Sequence, residues 1–168
     1  MAISMYQISV PVFTRMLNNL IAILGIAAAH CEAKKIDPAF LINYRLYPDM
    51  FAFAKQVQIA ADAAKNGAAH LAAAEPPKFD NTEQTFAELI ERVKQTIEFV
   101  NSFKPEQIDG TEAKEVNIQR GDTTVTYRGQ EYLLNRVLPN FFFHITTAYD
   151  ILRHNGVELG KRDYLGRT

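Results

Sequence analysis

Apolar residues recur at helical spacing through most of this chain, and the places where that spacing breaks divide it into four long segments. In residues 4–35, Met5, Ile8, Val12, Met16, Leu20, Leu24 and Ala27 or Ala28 share one face, which predicts a long first helix bent near its start by Pro11. Asp37 and Pro38 open a short turn or single helical turn reaching Tyr44. A second helix is expected over 48–73, with Pro48 in its first turn and Met50, Phe53, Ala54, Val57, Ala61, Ala64 and Ala68 facing inward. Gly67 is the weak point of that helix, and Glu75-Pro76-Pro77 ends it.

Thr85 and Glu88 have the spacing of a capping box, so a third helix should start there; Phe86, Leu89, Ile90, Val93, Ile97 and Val100 carry it to about Phe103. The pattern then changes period. Val116 and Ile118 alternate with polar residues, Gly121-Asp122 supplies a turn, and Thr124 to Tyr127 favour a strand, so residues 115–128 predict a two-stranded hairpin. A hairpin alone is marginal in water, so this one should lie across the bundle or against a partner subunit.

The last segment, 129–154, organises the rest. Leu134, Leu138, Phe141, Ile145, Ala148 and Leu152 form one apolar stripe, Pro139 should kink the helix, and Gly156 suits a left-handed cap after it. The tail beyond shows no period. Four amphipathic helices with a hairpin inserted between the third and fourth imply an all-α four-helix bundle, expected as one domain over 1–168.

Composition narrows the classes of partner. Eighteen basic and nineteen acidic residues nearly balance, with no basic run able to follow a phosphate backbone, so nucleic acid is not an expected partner. The apolar run 20–29 is shorter than the roughly 20 residues a bilayer span needs, and no signal peptide is read at the N-terminus; no membrane association is expected. The single cysteine, Cys31, cannot form an internal disulfide or a cysteine-based zinc site alone, which suits a reducing cytoplasm. It follows His30, but adjacent helical positions diverge, favouring an inert, partly buried thiol.

Candidate chemistry centres on His144, on the shoulder of the last apolar stripe, about 60° from Phe141 at 100° per residue. It can be a metal ligand, a general acid or base near neutral pH, or a hydrogen-bonded core histidine. Asn140 lies one turn earlier on the same flank, so a polar pocket beside the apolar stripe is expected. Arg45, with Asp49, Lys161 and Asp163, forms an unusual set of charges, which could close a pocket mouth around an anionic group or simply pin the tail. His70 and His154 read as surface or helix-end residues. Phe143 points outward and suggests a subunit interface, hence a homodimer.

The order LYPDMFAFAKQVQIA, TFAELIERV and PNFFFHITTAYDILRHNGVELGKRDYLG resembles an uncharacterised bacterial family of unknown function within the DinB/YfiT-like superfamily of four-helix bundles. The resemblance covers nearly the whole chain. It implies that fold and, for the wider superfamily, a divalent metal such as zinc or nickel held by three histidines, one on the second helix and two spaced four apart on the last. The spacing from His144 to Leu152-Arg153 and Gly156 aligns His144 with the second of that pair. Asn140 then replaces the first, and Gln56 is the nearest candidate on the second helix, so a small-ligand pocket flanked by Gln56, Asn140 and His144 is expected. Two of three ligands depart from the pattern, leaving His144 alone as a weak metal candidate. A degenerate site in a small-ligand-binding bundle is one implied function; a metal-dependent, thiol transferase-like enzyme and a structural or interaction homodimer are the alternatives.

Overall fold

A computed structural model describes residues 3–166. The long helices are α1 (Val10–Lys34), α3 (Phe53–Ala72), α4 (Phe86–Asn101) and α7 (Leu138–His154), with short helices α2 (Pro38–Ile42), α5 (Pro105–Ile108), α6 (Gly129–Tyr132) and α8 (Lys161–Leu165) between or after them. Strands β1 (Glu115–Arg120) and β2 (Thr123–Arg128) pair antiparallel, Val116 opposite Tyr127 and Ile118 opposite Val125. The fold is an all-α four-helix bundle with a small two-stranded hairpin inserted between the third and fourth long helices.

α3 packs along both α7 and α4, and α4 along α1. α1 closes on α7 through Phe13 and Phe141, whose rings meet edge-on at 5.1 Å. The apolar core includes Leu17, Leu20, Ile23, Val57, Leu89, Phe141 and Ile145, all fully buried. Three fully buried alanines of α3, Ala61, Ala64 and Ala68, permit close helix approach. By length and hydropathy alone α1 could cross a bilayer, contrary to the expectation from the 20–29 run. Its apolar side instead faces α4 and α7, while Arg15, Asn18, Ala22 and Gly25 of the other side are exposed.

Several boundaries differ from the sequence expectation for local reasons. α1 starts at Val10, not residue 4, because Pro11 is accommodated in its first turn, and residues 5–9 form turns. Pro48 does not start the second long helix. It sits after Tyr47 in a turn closed by Met50 N–H to Tyr47 O at 2.9 Å, a position that suits its fixed φ. The loop 44–52 is tied shut by an Arg45–Ala52 bridge and by Phe53 N–H to Tyr44 O at 2.8 Å, so α3 begins only at Phe53. The capping box is as read: Glu88 N–H donates to Thr85 Oγ1 at 3.1 Å, and Thr85 N–H to Glu88 Oε2 at 2.9 Å. The tail forms α8 rather than remaining irregular, held on α1 by Arg15 to Leu165 O at 3.1 Å and Asn19 to Tyr164 O at 3.0 Å.

The largest correction concerns the last helix. Between α6 and α7, residues Leu133–Val137 form a π-helical turn, in which Leu138 N–H reaches Leu133 O five residues back. Pro139 lacks an N–H and would crowd the carbonyl four residues earlier; the wider turn before it absorbs both problems. One added residue rotates everything upstream by about 100°. Leu134 of the expected stripe is therefore 41% exposed, and Leu133 and Val137 take the buried positions.

The π turn also explains Gly67. A Cβ there would lie 2.5 Å from Val137 Cγ1, so the glycine lets α3 and the widened turn approach. The hairpin lies across this end of the bundle: Val116 is buried, and Lys114 Nζ caps the end of α3 by donating to Leu71 O at 2.9 Å. The sequence expectation of Gly67 as a mere weak point in α3 is thus superseded. Gly67→Ala should lower the thermal midpoint, overpacking costing about 1–3 kcal/mol against a helix-propensity gain of about 1. Adding Val137→Ala should recover part of the loss; the double variant separates a steric cause from any other.

Candidate functional site

α3 and the last helix run antiparallel, and their facing polar residues form a ladder. Gln56 meets His144 at one end and His70 meets Tyr132 at the other. The residues between, Asp62 and Asn66 on α3 and Asn140 and Arg136 on the last helix, follow at spacings of four or six residues on α3 and four on its partner. At 100° per residue His70 lies within about 40° of Gln56, so both belong to one face of α3.

The Gln56–His144 contact is short and buried: Oε1 lies 2.6 Å from Nδ1. Gln56 Nε2 donates to Phe51 O at 3.1 Å, which turns the amide oxygen toward the imidazole. A carbonyl oxygen only accepts, so the contact requires a proton on Nδ1 and leaves Nε2 as the lone-pair nitrogen of the neutral ring. Burial also holds the His144 pKa below the ordinary imidazole value. The edge of the Phe143 ring meets the His144 ring at 5.2 Å.

Asn140 does not join this contact. It lines a neighbouring cleft of about 200 Å³ together with Asp62, Asn66, His70, Tyr132 and Arg136, over an apolar floor of Ile59, Ala63, Ile118 and Val137. The expected trio is therefore split: Gln56 and His144 are together, and Asn140 belongs to the cleft. Arg45 belongs to neither. Its guanidinium donates to Met50 O inside the 44–52 loop, while the tail is held by Arg15, Asn19 and the Thr146–Tyr164 hydroxyl contact at 3.0 Å. Arg45 thus organises its own loop, which is a different role from the anion contact or tail anchor expected of it.

His70, read as a surface or helix-end residue, sits in the last turn of α3 but is half-buried against Tyr132, which the sequence reading did not single out. His70 Nδ1 lies 2.8 Å from the Tyr132 hydroxyl. Burial lowers the His70 pKa and raises that of Tyr132 to about 12, with Arg136 opposing and Tyr127 assisting the rise, so near neutral pH the pair is an uncharged phenol against an uncharged imidazole. The signal was present in the placement of His70 on the Gln56 face of α3. Tyr132 could not be placed without the π turn.

Beside the cleft, Arg92 is 3% exposed and binds Asp62 Oδ1 and Glu83 Oε1, both at 2.9 Å; Lys65 reaches the same Asp62 oxygen at 2.9 Å. Two cations and two carboxylates thus neutralise one another. Phe79 stacks on this group, with Lys65 Nζ 4.5 Å from its ring centre, which pins the connection between α3 and α4. Cys31 is 1% exposed, and burial, with Asp37 adding, pushes its thiol pKa up; this is the inert reading.

A three-imidazole metal centre does not fit these donors. His144 offers one free nitrogen, its neighbour Gln56 is already committed at both amide atoms, and Asn140 faces the cleft. Among the described residues no group of three or more histidine, cysteine, aspartate or glutamate side chains could hold an ion.

The family model of a domain of unknown function, DUF1993, matches residues 5–165. A crystal structure described as a DinB family member protein from Shewanella denitrificans is similar at 42% identity, covering 97% of this chain and 92% of that one, with a TM-score of 0.87. No curated protein matches.

Two consequences can be measured. A histidine held neutral in the fold binds its proton more readily when unfolded. Its stabilisation is complete above the unfolded pKa of about 6.5 and is lost as pH falls through the lower folded value. Urea midpoints should therefore fall between pH 7.5 and 5.5, and His70→Gln and His144→Gln should each flatten that slope. Gln56→Leu strands the Nδ1 proton and should cost about 1–3 kcal/mol in the same unfolding measurement at pH 7.5.

Proposed function

Since the chain belongs to the DUF1993 family of DinB-like bundles, we propose that it is a small-ligand-binding member in which an amide–imidazole hydrogen bond stands where the superfamily mounts metal-binding histidines. The ligand occupies the cleft between α3 and the last helix. The observation that carries this reading is the concentration of uncommitted polar groups there: the side chains of Asn66, Asn140 and Arg136 make no hydrogen bond or ion pair to the described residues, yet all line the same 200 Å³ space. His144 and Gln56 shape the end of that ladder and do not themselves bind. Elemental analysis of tag-free protein should find no stoichiometric divalent ion, and zinc or nickel should not raise the thermal midpoint. A stoichiometric ion whose loss follows His144→Ala would replace this reading with the metal-dependent, thiol transferase-like one.

We also propose that two copies associate through the face above the Gln56–His144 bond. Phe51 is 53% and Phe143 56% exposed, and both adjoin that bond, Phe51 through its carbonyl and Phe143 through its ring. Apolar aromatics this open are the usual anchors of a subunit contact. Sedimentation at micromolar concentration should give a dimer, and Phe143→Ser with Phe51→Ser should give a folded monomer; a wild-type monomer would overturn the assignment.

A further inference from the structure

The cleft has a charge that no described residue neutralises. Asp62 already shares one oxygen with Lys65 and Arg92, and Glu83 completes that neutral group. Arg136 makes no ion pair to the described residues and is exposed at the cleft rim. Antiparallel pairing sets Asn66 at the level of Arg136, with Asn140 one turn to one side and the His70–Tyr132 pair one turn to the other. One helical turn of four residues rises about 6 Å, so the amides and the phenol lie within reach of a group seated on the guanidinium.

We propose that the ligand of this cleft is a small monocarboxylate with an apolar body. Arg136 takes the carboxylate through its fork of parallel N–H donors, a geometry that a planar carboxylate matches. The Asn66 and Asn140 carboxamides supply neutral donors beside it, adding direction without a second charge. Ile59, Ala63, Ile118 and Val137 cover the hydrocarbon part. Size limits the body: 200 Å³ equals roughly seven water volumes at about 30 Å³ each. A dianion is disfavoured because Arg136 is the one Lys or Arg among the described lining residues and the Asp62 carboxylate lies along the wall, and a cation is disfavoured by Arg136 itself.

This inference rests on the reading of the cleft as a ligand site, and the test separates the two. The probes are 4-methylpentanoate, its primary amide, its amine counterpart and inorganic phosphate, each titrated into the full chain while the side-chain resonances of Asn66, Asn140 and Arg136 are followed by NMR. The acid should shift all three and bind at least tenfold tighter than the other probes. Arg136→Gln should weaken it at least tenfold, and Arg136→Lys should recover part of that loss; Arg136 is exposed, so both variants should keep the wild-type thermal midpoint. Equal binding of the amide, the amine or phosphate, or of the acid by Arg136→Gln, would overturn the carboxylate assignment and leave a ligand site of other chemistry. No shift at these resonances with any probe would overturn both the assignment and the ligand-site reading.

Discussion

Gln56 and His144 bond to each other across the α3–α7 interface where hydrocarbon surrounds them, and the consequences spread along both helices. A buried imidazole N–H left without an acceptor costs about 1–3 kcal/mol, so the pair locks one register between two antiparallel helices whose alanine-rich contact would otherwise tolerate sliding. The His70–Tyr132 contact fixes the same register at the far end. Between these two fastenings the helices hold apart a polar-lined cleft, whose residues face one another because the ends are set. Gly67 and the π turn complete the arrangement by letting α3 meet the last helix closely beside Val137.

The bond also decides what chemistry this part of the bundle can hold. An imidazole that donates from Nδ1 presents only Nε2, and the Gln56 amide is engaged at both its oxygen and its nitrogen. Neutral amides add little affinity for first-row metals even when free. Uncommitted polar groups accumulate instead one to three turns further along, at Asn140, Arg136 and Asn66. The superfamily frame is retained, and the polar centre of gravity lies further down the helix pair.

Much of this was legible in the chain. Periodicity located the four long helices, the Thr85–Glu88 box located one start to the residue, and alternation located the hairpin, because each of those signals is local. Gln56 and His144 were brought together by the resemblance, which set both at ligand positions; that they bond to each other was not read from the sequence. Nor was the π turn: sequence shows Pro139, and a kink, a break and a widened turn all relieve it, so Leu134 was assigned inward when it faces out. His70 was read as a surface or helix-end residue, and its contact with Tyr132 went unread because Tyr132 cannot be placed without that added residue. Arg92 lies inside because Asp62 and Glu83, distant in sequence, surround it, and no periodic pattern encodes a three-element charge group. Arg45 read as a site residue without sight of its loop, where its Nη1 donates to Met50 O.

The imidazole of His144 reports on the whole account. Nitrogen-detected NMR of labelled protein at pH 7.5 resolves both ring nitrogens and the proton each carries. The account predicts a neutral ring protonated at Nδ1, with Nε2 bare and unshifted by added zinc. A proton on Nε2, a charged ring at that pH, or a metal-induced displacement of the Nε2 signal would contradict it.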